Sequence, residues 1–151
     1  MLNFTNTTLT GILEINGGGG NDALTGSAGA DTIVGQGGTD TINGGAGADI
    51  IEGGGNNDTL NGGAGNDTFR YLPVAGGFGT DTIANFDANP TGGQDLINLA
   101  GLGITAGNFA ANVTIANAGG GVTQITVAGH GIIRLTGIAA AAVTVTDFVL
   151  A

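Results

Sequence analysis

Six aspartates stand nine residues apart in this chain: Asp22, Asp31, Asp40, Asp49, Asp58 and Asp67. Two residues after each comes an apolar side chain: Leu24, Ile33, Ile42, Ile51, Leu60 and Phe69. A glycine-rich stretch precedes each, so that residues 17–70 read as uninterrupted nonapeptides, from GGGGNDALT to GGAGNDTFR. After a five-residue insertion, Tyr71 to Ala75, GGFGTDTIA (76–84) restores the pattern with Asp81 and Ile83. A weaker echo, GGQDLIN (92–98), carries Asp95 and Ile97. A fixed period of this length means stacked structural repeats, each too small to bury its apolar residue alone. The sequence therefore predicts an all-β chain, a parallel β-roll or solenoid followed by a β-rich cap.

The third place of successive repeats alternates Gly19, Ala28, Gly37, Ala46, Gly55, Ala64. Odd and even repeats thus meet different surroundings, and two of them form one 18-residue coil. Stacking puts Asp22, Asp40, Asp58 and Asp81 in one column, and Asp31, Asp49, Asp67 and Asp95 in the other. Column neighbours then lie roughly 5 Å apart, the strand spacing. Two carboxylates at that distance repel by about 1 kcal/mol in water, or about 3 kcal/mol at an effective dielectric near 20. A hard cation reverses the sign. Calcium accepts six to eight oxygens, and carboxylates mixed with turn carbonyls suit it, whereas magnesium holds a tight octahedron and keeps its water. The expected sites are the pairs 22/40, 40/58, 31/49, 49/67, 58/81 and 67/95, taking about four to six calcium ions. The expected carbonyl donors are Gly18, Gly20, Gly29, Gly38, Gly45, Gly47, Gly54, Asn56, Gly63, Gly65, Gly77 and Gly79. Glycine at the first, second and fourth places is expected to supply positive φ for the sharp turns. Asn56, in a fourth place, tolerates that region best after glycine.

Twelve acidic residues against Arg70 and Arg134 leave a net charge of −10, with no lysine and no cysteine. That balance argues against nucleic acid and anionic membranes as partners and favours cations. Five calcium ions would cancel it. No apolar run is long enough for a transmembrane helix, and MLNFTNTTLT lacks the basic and apolar regions of a Sec signal. One histidine without cysteine or lysine builds no nucleophile–base pair, so no catalytic residue is assigned and the chain reads as a non-enzyme. His130 reads as a turn residue, and Asp87 and Asp147 as surface charges.

Residues 1–16 read as a lead-in, with TLTGILEIN (8–16) an end coil carrying Leu13 where aspartate should stand. The metal-binding roll is assigned to 17–98 and the cap to 99–151. In the cap, 112–116, 122–128, 131–138 and 143–150 alternate as strands. AGHG (128–131) fits a hairpin turn, and short helices are expected near 100–111 and 138–142.

The nonapeptides G-G-x-G-x-D-x-U-x, with U apolar, resemble those of RTX (repeats-in-toxin) proteins, and this resemblance is highly specific over 17–84. Departures are Ser27, Gln36 and Asn56 at glycine places. Residues 80–151, with TDTIANF, DLINL and a terminus of Asp147 to Ala151, are similar to the C-terminal region of serralysin-type exoproteins. The resemblance implies a calcium-bound parallel β-roll and an uncleaved C-terminal signal for a type I secretion apparatus. It also implies an extracellular or cell-surface destination in a Gram-negative bacterium.

Two functions fit. The chain, opening on Met1, is expected to be a self-associating subunit of an extracellular filament, matrix or surface layer, because an open coil edge templates another chain. The alternative is a C-terminal secretion and folding module of a larger exported protease, lipase, epimerase or adhesin. Either way metal binding and folding are one process. Circular dichroism is expected to show β structure in calcium and its loss in chelator; a native β spectrum in chelator would contradict this.

Overall fold

A computed structural model describes residues 2–3, 13–89 and 93–151. Most of the lead-in coil (4–12) and Gly92 of the last echo lie outside the described residues. Strands β1 (Leu2–Asn3), β2 (Leu13–Gly19), β3 (Ala23–Thr25), β4 (Asp31–Gly37), β5 (Thr41–Ala46) and β6 (Ile50–Gly55) wind back and forth between two sheets. β7 (Thr59–Ala64), β8 (Thr68–Arg70), β9 (Gly79–Ala84) and β10 (Leu96–Asn98) continue the winding.

Every neighbour within the roll is parallel and one coil away, 18 residues on as far as β8 and further where the insertion and the weaker last repeat intervene: β3, β5, β7 and β9 in one sheet, β2, β4, β6, β8 and β10 in the other. The five-residue insertion is absorbed before β9, so Leu60 still meets Ile83. The alternating third place follows from the two sheets. Gly37 pairs with Gly55 at the ends of β4 and β6, and Ala46 with Ala64 at the ends of β5 and β7.

The apolar residue of each repeat faces inward in a strand of only a few residues. Leu24, Ile42, Leu60, Ile83 and Leu135 form one register column; Ile15, Ile33, Ile51, Phe69, Ile97 and Phe148 form the other. All are buried. One nonapeptide contributes one such side chain, so no coil is stable without its neighbours.

The cap completes both sheets. β11 (Val113–Gly119), β12 (Val122–Val127) and β13 (Gly131–Thr136) form an antiparallel meander whose last strand runs parallel to β9. The turn at 128–131 is a hairpin, closed by His130 N–H donating to the Val127 carbonyl. Helical residues appear in brief turns: 3-10 segments at Ala100–Leu102 and Ala140–Ala142, and α1 at Phe109–Asn112.

Two expectations fail here. The segment 143–150 alternates like a strand, yet Val145–Asp147 is a 3-10 turn and only β14 (Phe148–Val149) pairs, parallel to β10. Asp147, expected at the surface, is 1% exposed. Its Oδ2 accepts from Thr144 N–H at 2.6 Å and from the Thr144 hydroxyl, and its Oδ1 accepts from Gln94 Nε2 at 2.7 Å. This capping box stops the strand early, because a buried carboxylate needs donors that a straight strand would not turn toward it. The bond to Gln94 ties the C-terminal segment to the last repeat, and Phe148 packs edge-on against Phe109 at 4.9 Å.

Replacing Asp147 with Ala strands those donors. It is expected to destabilise the folded protein by about 1–3 kcal/mol, read as an earlier thermal midpoint at saturating calcium.

Candidate metal centre

Each aspartate column is a hydrogen-bonded chain. The Asp22 N–H donates to Asp40 Oδ1 at 2.8 Å, Asp40 to Asp58 at 2.8 Å and Asp58 to Asp81 at 3.0 Å. On the opposite edge Asp31 donates to Asp49 at 2.8 Å, Asp49 to Asp67 at 3.0 Å and Asp67 to Asp95 at 2.9 Å. All six expected pairs are therefore brought together, those across the insertion included. These aspartates are buried except Asp22, which is half-buried in the first of the aspartate-bearing turns.

The second carboxylate oxygen distinguishes these columns from an ordinary hydrogen-bond ladder. Asp22, Asp40, Asp49, Asp58, Asp67 and Asp81 each keep Oδ2 buried with no hydrogen-bond donor, and Asp31 keeps Oδ1 so. An ionised carboxylate oxygen left bare in the interior is costly. Burial pushes Asp40 and Asp67 up, Asp49 and Asp58 up to about 6, and Asp81 up to about 8. The column's own backbone donors oppose the shift, and neighbouring carboxylates add to it. A row of acceptor-only oxygens without protein donors suits a hard divalent cation, which satisfies them and removes the repulsion. No three His, Cys, Asp or Glu side chains converge on one point among the described residues. Carboxylates alone thus do not complete a site, and further oxygens are needed, for which turn carbonyls are candidates.

The turns present such carbonyls. A Cβ at Gly45, Gly54 or Gly63 would strike the carbonyl of Ser27, Gln36 or Gly45, the same place one coil back. At Gly38, Gly65 and Gly79 it would strike Gly20, Gly47 and Asn56. Carbonyls of the second and fourth places thus point along the column into the gap between coils. Gly18, Gly20, Gly38, Gly45, Gly47, Gly54, Asn56, Gly63, Gly65, Gly77 and Gly79 all have positive φ.

Three details depart from expectation. The first-place glycines of the six uninterrupted repeats do not have positive φ; they are glycine for clearance. A Cβ at Gly44 or Gly62 would collide with the carboxylate of Asp49 or Asp67 in its own repeat. Gly29, expected among the left-handed donors, has no positive φ. Ser27 causes this: its hydroxyl accepts from Gly29 N–H and donates to Asp31 Oδ2 at 2.9 Å, building a different turn. Gln36 takes φ 75° without being glycine or asparagine, and its Nε2 donates to Asn16 Oδ1 at 2.7 Å.

Sequence reasoning missed other parts. Asn21 and Asn57, just before their aspartates, accept from Thr39 N–H and Thr80 N–H at 2.8 Å and lock odd-edge coils together. Their spacing was a signal: asparagine recurs in the fifth place. Asp95 differs from the other aspartates because Asp87 N–H occupies its Oδ2 at 2.9 Å, closing the even column. Asp87 itself is exposed, as expected.

Residues 14–42 and 34–69 match the family model described as the RTX calcium-binding nonapeptide repeat. This segment therefore carries RTX repeats, which bind calcium. No curated protein sequence is similar enough to count as a relative. Solved structures share the fold. One subunit of the mannuronan C5-epimerase of Azotobacter vinelandii is 28% identical, with a TM-score of 0.67 over 98% of this chain and 83% of that one. A second subunit of that enzyme is 25% identical, with a TM-score of 0.62 over 91% of each chain. The extracellular lipase LipA from Serratia marcescens shares the fold at 24% identity and a TM-score of 0.67; the match spans 91% of this chain and 21% of the lipase.

A pH dependence follows from the raised carboxyls. Their folded values lie above the unfolded value of 3.8. The protonated roll is therefore stabilised fully below that value, and the stability is lost as pH rises through about 6 to about 8. Calcium-free protein is expected to gain β structure on acidification from about pH 8 to about pH 5. Calcium affinity should fall over the same interval, because protons compete for the same oxygens. Circular dichroism in chelator and calcium titrations at several pH values check both trends.

Proposed function

We propose that this chain is a calcium-folded RTX module of an exported protein, non-catalytic itself, whose task is to fold once outside the cell. The observation that carries this is the row of buried carboxylate oxygens without donors along both edges of the roll. Asp22, Asp31, Asp40, Asp49, Asp58, Asp67, Asp81 and Asp95 would hold the metal, with carbonyls from the second and fourth places of the turns. Bound calcium would supply charge neutralisation and the missing coordination. The residues of the chain supply spacing, burial and exclusion of water.

The neighbours support the module reading, since two are subunits of an epimerase and the third is a fifth-length match within a lipase. An open cavity of about 460 Å³ beside the insertion is lined by Gln36, Thr39, Asn57 and Val74 among others, with no acid, base or histidine. Nothing there points to chemistry of its own. Export by a type I apparatus from a Gram-negative cell, with the C-terminal segment as signal, agrees with a chain whose folding waits for extracellular calcium at roughly 10⁻⁴–10⁻³ M.

The second reading, a subunit of an extracellular filament, matrix or surface layer, draws on β2, which among the described residues is the parallel edge strand at one end of its sheet. In the other sheet the cap end finishes in the antiparallel β11–β12 hairpin, so addition there needs a different interface from coil on coil. Light scattering during a calcium titration separates the two. The module reading expects a compact monomer at every calcium concentration that folds the chain. Growth in mass with calcium would overturn it in favour of assembly. Absence of calcium-linked folding would overturn both.

A further inference from the structure

The first turn of the even edge is built unlike the others. In each of the six uninterrupted repeats, Oδ2 of the aspartate lies beside the first-place glycine of its own repeat. In five of them that oxygen is buried without a donor: Asp22, Asp40, Asp49, Asp58 and Asp67. Asp31 is the exception. Its Oδ2 keeps the same place beside Gly26, yet it accepts from the Ser27 N–H at 2.6 Å and from the Ser27 hydroxyl at 2.9 Å. Two donors fill both lone pairs of that oxygen. Only Oδ1 of Asp31 remains bare.

The backbone of the same turn has also changed. A Cβ at Gly38, Gly65 or Gly79 would strike the fourth-place carbonyl oxygen one coil back. A Cβ at Gly47 would instead meet the carbonyl carbon of Gly29 and the nitrogen of Ala30 before the oxygen. The 29–30 peptide thus turns its plane, and not its oxygen, toward the next coil. Ser27 holds it there, its hydroxyl accepting from Gly29 N–H at 3.1 Å. Neither Ser27 nor Gly29 takes the positive φ of the second and fourth places in the neighbouring turns. Gln36 also departs from glycine at a second place but keeps φ 75°, so loss of glycine does not by itself rebuild the turn. The short serine hydroxyl does, because it bonds locally to backbone and carboxylate. At the far end of the even column Asp87 N–H takes Oδ2 of Asp95 at 2.9 Å. No aspartate of the odd column has its Oδ2 so occupied.

We propose that Ser27 is a built-in stand-in for calcium at the 31/49 pair, its N–H and hydroxyl holding Asp31 where an ion holds the other aspartates, so that this pair is a weak calcium site filled after those of the odd edge. This rests on the calcium reading of the columns. The turn that starts the even edge is thereby ordered by protein donors, and calcium is left to order the turns that follow.

The test compares Asp22→Asn with Asp31→Asn, the first aspartates of the two columns, by calorimetric titration of the full chain with calcium. Asp22→Asn is expected to weaken binding about tenfold, the loss of a charged ligand, and Asp31→Asn to leave it within about twofold. Equal losses would overturn the proposal, and this comparison needs no change at Ser27. Ser27→Gly restores the second-place glycine and its freedom of φ. It is expected to tighten the weakest class of site about tenfold, and Asp31→Asn on that background should cost as much as Asp22→Asn. Ser27→Ala removes the hydroxyl without granting positive φ and should tighten nothing. Tightening in both Ser27 variants, or in neither, would overturn the proposal while leaving the calcium reading intact. Failure of the unmodified chain to bind calcium would defeat that reading instead.

Discussion

The structure depends on one repeated contact: an aspartate backbone N–H donating to the carboxylate of the aspartate one coil on. This bond fixes the stacking register at each turn and leaves one carboxylate oxygen facing inward without a donor. Fixing the register aligns the apolar columns, because the inward residue follows its aspartate by two positions and a one-residue slip would turn it outward. The same bond that orders the roll therefore concentrates negative charge along both edges. Stacking order and the cation-binding oxygens thus come from a single side chain used twice.

Glycine is needed around this contact for two separate reasons. At the second and fourth places it permits left-handed turns and lets the preceding coil's carbonyl approach closely. At the first place its backbone is ordinary, and only the missing Cβ matters, since the carboxylate of the same repeat fills that space. Substitutions are tolerated where another group takes over the task. Ser27 donates its hydroxyl to Asp31, where the even column has no earlier aspartate to supply a backbone donor. Asn56 adopts the left-handed turn directly.

The ends of the roll are finished by different chemistry from its middle. The even column closes where Asp87 N–H takes the second oxygen of Asp95. The odd column runs into the cap, where Ile133 is the register partner of its last aspartate. The C-terminal residues join the second sheet through β14, secured by the buried Asp147–Gln94 contact one residue from Asp95. Cap and last repeat are thus physically continuous, sharing both sheets and one core.

The sequence by itself determined the coil length, the two columns, the six aspartate pairs and the inward apolar residues. Each follows from periodicity, and periodicity survives in any structure that stacks identical units. It could not reveal that Gln36 would accept a left-handed turn, that Gly29 would not, or that first-place glycines serve clearance. Those outcomes depend on neighbours a full coil away. Nor could it place Asp147, whose alternating surroundings resemble a strand until Thr144 and Gln94 are brought to its carboxylate. Only the tertiary structure decided these, because burial of a charged group is settled by donors from distant parts of the chain, and local pattern carries no record of them.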